Sequence, residues 1–253
     1  MPFEIHPHVI TPPDDTVLWR YMAFGRLQQL LETEQLWFAR LDKFDDPLEG
    51  TLTDGEISFD PPADGHALQL RDATSDPIAQ MMRHTAYVQC WRMGAESMAM
   101  WDLYGKSQDS VAVTTTVGLL KHQLSKDIRS VYMAEVEYVD WNEPRILKGV
   151  FDPVLRKIEG YEHESEMRLF FWNVAGICID GVYRPDQIPE GLMFSVNPKE
   201  MINAIWIGPR GAARTQSMVE ALVAQYKLDV PIRTSSKMST KRPTTYRAQP
   251  RDI

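Results

Sequence analysis

Cysteine is scarce in this chain, with two among 253 residues. Cys90 and Cys178 both sit in apolar runs, which argues against a disulfide scaffold and for a reduced, cytoplasmic setting. Metal-binding spacings are missing too. None of the six histidines forms an H-x-x-x-H, and no C-x-x-C occurs, so a zinc site of the usual kind has no ligand set. There is no G-x-S-x-G turn for a serine nucleophile, no Walker loop and no G-x-G-x-x-G. No apolar run reaches the roughly 18 residues that span a bilayer. The opening "MPFEIHPHVITPPDD" lacks a basic region followed by an apolar stretch, the mark of an export signal. Excess positive charge is absent as well. The net charge is -8, which speaks against a surface that coats nucleic acid.

What is present is an ordinary globular balance, 43% hydrophobic and 25% charged. Residues 1–15 read as an extended lead-in, 16–235 as one α+β domain, and the basic stretch 236–253 as a flexible tail. "TVLWRYM" (16–22) reads as a strand. Leu27, Leu30 and Leu31 recur at helical spacing in "FGRLQQLLETE" (24–34), and "LWFAR" (36–40) returns to strand. Residues 42–75 are acidic and rich in proline and glycine, a long loop. Helices are expected at 76–84, 96–105, 117–124, 146–160 (broken at Pro153) and 212–226. Strands are expected at 86–91, 110–116, 131–139, 164–172, 192–196, 201–208 and 230–235. Strands outnumber helices and do not alternate with them, so the sheet is expected to be mainly antiparallel.

Charged groups collect in two places. "DKFDDPLEG" (42–50) gathers Asp42, Asp45, Asp46 and Glu49 around Pro47, a proline that suits a turn. "ESEMRLFFW" (164–172), read as a strand, puts Glu164, Glu166 and Arg168 on one face and Met167, Leu169 and Phe171 on the other. Two readings of that face are open. It is a solvated face with an ion pair, or a pair of working acids oriented by Arg168. Ser97, Trp101 and Tyr104 share a helical face, as core or as the floor of a pocket for a flat ring. Arg20, in an otherwise apolar strand, either surfaces or anchors an anion in a cleft. "GPRGAAR" (208–214) leads from a strand into a helix whose first N–H groups offer a place for an anion, but it matches no phosphate-loop pattern and reads as an ordinary strand-turn-helix connection. Cys90 reads as core.

The order of these segments resembles the bacterial domain-of-unknown-function family 2971, across about residues 17–235. The parts that carry it are D-P-x-E (Asp46, Pro47, Glu49), S-x-x-x-W-x-x-Y (Ser97, Trp101, Tyr104) and E-x-E-x-R (Glu164, Glu166, Arg168). More distantly, the opening strand-helix-strand and the late E-x-E are similar to the ADP-ribosyltransferase fold. That resemblance implies an NAD-dependent enzyme acting on a nucleic-acid, protein or small-molecule acceptor, as a toxin or phage-defence effector would. It implies Glu166 and Glu164 as catalytic residues. It assigns Arg20, Tyr21, Ser97, Trp101, Tyr104 and Arg168 to cofactor binding, and no metal. Asp46 and Glu49 then shape the loop beside the cleft, with Glu49 paired to Arg20, Arg40 or Arg168.

Two other classes stay open on the residues alone. Asp45, Asp46, Glu49, Glu164 and Glu166 form the ligand set of a hard-cation nuclease or phosphodiesterase if they converge. A non-catalytic ligand-sensing domain would have the pocket without a poised carboxylate. Oligomeric state leaves no mark in the sequence.

Overall fold

The computed structural model describes residues 9–51, 77–143, 149–173, 178–179, 182–211 and 213–235. The stretch 52–76, which holds most of the expected long loop 42–75, and the basic tail 236–253 lie outside these residues.

The strands are β1 Val17–Ala23, β2 Gln35–Arg40, β3 Ala86–Met93, β4 Ser110–Thr116, β5 Val131–Glu135, β6 Glu137–Val139, β7 Arg156–Ile158, β8 Glu166–Trp172, β9 Cys178–Ile179, β10 Val182–Tyr183, β11 Gly191–Ser195, β12 Ala204–Ile207 and β13 Ile232–Thr234. The helices are α1 Phe24–Thr33, α2 Pro77–Thr85, α3 Met98–Tyr104, α4 Val117–Leu124, α5 Asp152–Leu155, α6 Pro198–Met201 and α7 Ala213–Tyr226. Nine strands form one sheet in the order β11-β2-β3-β1-β4-β12-β13, with β8 on β3 and β5 on β8. Every pairing in it is antiparallel except β12 with β13. The fold is α+β, as the excess of strand patterns predicts.

The alternation of β1 sorts its side chains. Leu18 and Met22 join the main core, whereas Trp19 and Tyr21 join a smaller cluster on the other face. The main core is closed by Leu27, Leu30 and Leu31 of α1, Leu120 and Leu124 of α4, and Val219 and Leu222 of α7. The opposite face carries two separate apolar patches. Met100 and Trp101 of α3 pack on Trp19, Tyr21 and Ala112. Val154 and Leu155 of α5 pack near Val88, Ala134 and Phe170.

One topological detail decides where the site lies. Along one edge, β3 pairs with β8 from Ala86↔Trp172 to Arg92↔Glu166. Its other edge is shared. β2 takes Val88 and Tyr87, and β1 takes Met93 and Arg92. Between them Gln89, Cys90 and Trp91 have no strand partner on that side, and the sheet is split there.

Several segments differ from the sequence-based expectation. The stretch 131–139 divides: β5 stays in the main sheet while β6 pairs with β7 in parallel, a separate ribbon. Of the expected helix at 146–160, the described residues are α-helical only over Asp152–Leu155, because Pro153 sits in the first turn and Arg156–Ile158 is extended. The strand expected from Glu164 begins at Glu166, since Ser165 is left-handed with φ 41. The strand expected from Met201 begins at Ala204. Asn197, Oδ1 accepting from Lys199 N at 3.1 Å, caps a short helix that ends at Met201.

Candidate active site

The split opens into a cleft with two lobes. The smaller, about 310 Å³, runs between β1, α1 and β2. The larger, about 590 Å³, lies on the sheet face between the two apolar patches. Arg20, Tyr21, Trp37, Trp91 and Tyr104 border both and form the waist.

Arg20 stands at that waist with its guanidinium 5.9 Å from the centre of the Trp91 ring. It makes no hydrogen bond or ion pair to the described residues. Burial is the main force lowering its pKa, to about 10, with the Arg26 charge acting in the same direction. The Arg20 guanidinium is half-buried and that of Arg26 is exposed, and no carboxylate pairs with either among the described residues. No aspartate or glutamate lines the smaller lobe.

The acids line the larger lobe. Lys157 Nζ meets three of them, Glu164 at 2.6 Å, Glu49 at 3.1 Å and Glu166 at 3.3 Å. Arg168 Nε donates to Glu166 Oε1 at 2.8 Å, its Nη2 reaches Glu49, and its Nη1 donates to Val154 O at 2.6 Å. Tyr104 Oη donates to Glu164 Oε1 at 2.9 Å. Three carboxylates thus share two cations, and all five side chains are buried, Arg168 fully and Glu166 to 3% exposure. The reading of this face as solvated is therefore overturned, because β7 and the loop of Glu49 cover it.

Burial at such a place opposes every charge, so each group's state depends on its neighbours. For Glu166, burial pushes the carboxyl up, but Arg168 and then Lys157 pull it further down, to about 2. For Glu49, burial wins and holds its pKa above the ordinary value, with the Glu166 charge adding to the effect. Burial pulls Lys157 down, yet Glu166, Glu49 and Glu164 together keep its ammonium well above the usual range. Burial, then the Glu166 charge, raises the Cys90 thiol far above its ordinary value, so it stays protonated and inert.

The loop that brings Glu49 here is locally determined. Asp46 Oδ1 accepts from Leu48 N at 2.9 Å, and the Thr51 hydroxyl donates to Leu48 O at 2.6 Å. Gly50 follows at φ 78, where an added Cβ would lie 2.5 Å from Leu41 Cδ2. Glu49 pairs with Arg168, one of its three expected partners, and faces the same lobe as Glu166.

Of the residues singled out from sequence, Arg20, Tyr21, Tyr104, Glu164, Glu166, Asp46 and Glu49 line the cleft. Arg168 lies behind it, holding Glu166 and Glu49. Ser97 and Trp101 do not line it. Ser97 caps α3 and its N–H donates to Tyr21 Oη at 2.9 Å. Trp101 is wholly buried, edge-on to Tyr21 with centroids 4.8 Å apart. The shared helical face of Ser97, Trp101 and Tyr104 is thus divided: its buried part is core, and only Tyr104, 51% exposed, reaches the cleft.

Three residues escaped the sequence reading. Lys157 was hidden inside an apparent helix, and its only signal was a surplus of acids over the single Arg168 set beside them. Trp37 and Trp91 looked like ordinary strand aromatics. Among the described residues no group of three or more histidine, cysteine or acidic side chains is arranged to hold a metal ion. The point on which Glu49, Glu164 and Glu166 converge is taken by the Lys157 ammonium. Likewise, no helix among the described residues is long and apolar enough to cross a membrane.

No family model and no curated protein matches the chain. Among solved structures it is similar to Thermus sp. 2.9 DarT in complex with NAD+, at TM-score 0.40 and 8% identity over 89% of this chain and 98% of that one. It is also similar to Thermus sp. 2.9 DarT in complex with carba-NAD+, at TM-score 0.37 and 10% identity over 88% of this chain and 96% of that one. Both likenesses are loose and say nothing of the site, whose chemistry rests on this chain's own residues.

Proposed function

We propose that the protein is an NAD-dependent ADP-ribosyltransferase-like enzyme that modifies a macromolecule, a nucleic acid or a protein. The observation that carries this reading is the polarity of the cleft. Two guanidiniums and no carboxylate line one lobe, while all the carboxylates of the cleft, Glu49, Glu164 and Glu166 among them, line the other beside Lys43, Arg92, Lys106 and Lys157. NAD has the matching polarity, with an anionic diphosphate near its middle and a cationic nicotinamide at one end.

When bound, NAD supplies an activated ribose: its bond to nicotinamide breaks, the electron pair leaves on the nicotinamide ring, and an acceptor's lone pair forms the new bond. Arg20 and Arg26 hold the diphosphate by charge-assisted hydrogen bonds. Glu166, anionic down to about pH 2, faces the positive charge that develops at the ribose carbon and stabilises it in a site shielded from water. Glu164, oriented by Tyr104 and Lys157, receives the proton that the acceptor gives up. Arg168 and Lys157 keep Glu166 ionised beside the other two acids.

Calorimetry with NAD, followed by label transfer into cell extract and nucleic acid, tests the reading. Arg20→Ala is expected to weaken NAD binding about tenfold or more, the usual range for a lost hydrogen bond to a charged group. Glu166→Gln is expected to bind NAD and transfer no label. A wild-type protein that does not bind NAD overturns the proposal. One that binds NAD but never consumes it, with any extract fraction, is a sensor and not an enzyme.

A further inference from the structure

Resting on that reading, we infer that the smaller lobe is the purine-nucleotide subsite, with the Trp37 indole as its stacking wall. Trp37 is 42% exposed, a large apolar surface left open at the waist. No other ring among the described residues pairs with it. Its neighbours in the sheet hold it there. Met193 faces it across the β2–β11 pair, and the ring lies over Gly191, where an added Cβ would stand 2.0 Å from Trp37 Cζ2. An indole laid flat over a glycine, with one face open to a cleft, is placed to receive a planar base.

Charge selects which half of a dinucleotide goes there. Arg20 at the waist and Arg26 in this lobe would hold the phosphates, on the smaller lobe's side of the waist. The ribose bound to nicotinamide must reach Glu166, so it extends into the larger lobe. The purine half is left with the smaller one. At about 310 Å³ the lobe is at the lower end of the size of small-molecule sites, matching half a dinucleotide rather than the whole. Polar groups for the edge of the base are on hand. Gln29 accepts from Arg26 Nη1 at 3.0 Å through Oε1 and keeps its amide nitrogen as a donor, and Gln35 borders the same lobe.

The test uses the whole chain with three probes, AMP, ADP-ribose and nicotinamide mononucleotide, read by calorimetry and tryptophan fluorescence. Trp37→Ala is expected to weaken AMP and ADP-ribose about tenfold and to leave nicotinamide mononucleotide within about threefold. Trp37→Phe keeps most of the affinity. Gly191→Val, which displaces the ring and leaves Trp37 itself unchanged, reproduces the loss seen with Trp37→Ala. Melting temperatures of the three variants check that each is folded. Unchanged AMP and ADP-ribose affinity in Trp37→Ala, or a loss confined to nicotinamide mononucleotide, overturns the inference. Wild type that turns over NAD yet binds neither AMP nor ADP-ribose overturns the subsite and leaves the enzyme standing. Trp37-dependent AMP binding without NAD turnover does the reverse.

Discussion

At the scale of single residues, the central object is an ammonium surrounded by three carboxylates. Lys157 is where removal of one side chain matters most. Lys157→Met leaves Glu49, Glu164 and Glu166 facing one another in a buried place, a loss of about 3–5 kcal/mol at neutral pH. The variant's pH dependence has a definite sign. Burial already holds the Glu49 carboxyl above its ordinary value, and removing the ammonium, one of the charges that lower it, raises it further above the unfolded chain's. Protonation then favours the folded state, so stability recovers as pH falls from 7 toward 5. Urea denaturation at several pH values reads this directly, and a variant that weakens steadily with acid contradicts it. Wild type behaves in the opposite way through Glu166. Its pKa is depressed from 4.5 to about 2, so its contribution is complete above 4.5 and is lost as pH falls between the two values. Glu166→Gln removes that share of the acid sensitivity, and acid titration followed by circular dichroism detects the flatter limb.

At the scale of elements, α3 is tied to the sheet by one hydrogen bond that sequence periodicity cannot reveal. Ser97 N–H donates to Tyr21 Oη, and burial lifts that phenol to about 12. Tyr21→Phe leaves the amide without its partner, costing about 1 kcal/mol and about 2–4 °C in Tm. A melting curve unchanged within 1 °C contradicts this. The same contrast explains what was legible in the sequence. The three leucines of α1 declare themselves because period and burial coincide, whereas β8 shows its alternation in residue type alone, both of its faces being buried over Glu166–Phe170. The four charged residues Glu49, Glu164, Glu166 and Arg168 are also visible, since acids and an arginine amid apolar strands need a reason. The helical spacing of Val154, Leu155 and Ile158 concealed β7, because a short apolar run suits either state and tertiary pairing with β6 decided it. The cleft itself is a matter of which strand sits beside which. Nothing in the spacing of Gln89, Cys90 and Trp91 says that β3 exchanges one partner for another along its edge. Trp37 and Trp91 therefore gave no sign of bordering anything.

At the scale of the whole molecule, charge is sorted within the cleft. The chain carries -8 overall, yet the smaller lobe is cationic. An anion approaches against the mean field and is attracted only at close range. Added salt screens both effects, so association with NAD is expected to slow less between 0.05 and 0.3 M salt than for a protein of net positive charge, where steering fades with the roughly 10 Å Debye length. Stopped-flow fluorescence measures this, and a steep decline contradicts it. The carboxylates, for their part, belong to different bodies. Glu166 rides on β8, in the middle of the sheet, whereas Glu164 ends the turn Glu159–Glu164, and the left-handed Ser165 is the joint between them. The joint is nonetheless clamped: Ser165 O accepts from Met93 N at 2.8 Å, and the Lys157 ammonium bridges the two acids at 2.6 and 3.3 Å. One rivet thus sets the gap between two acids that the chain carries on separate elements.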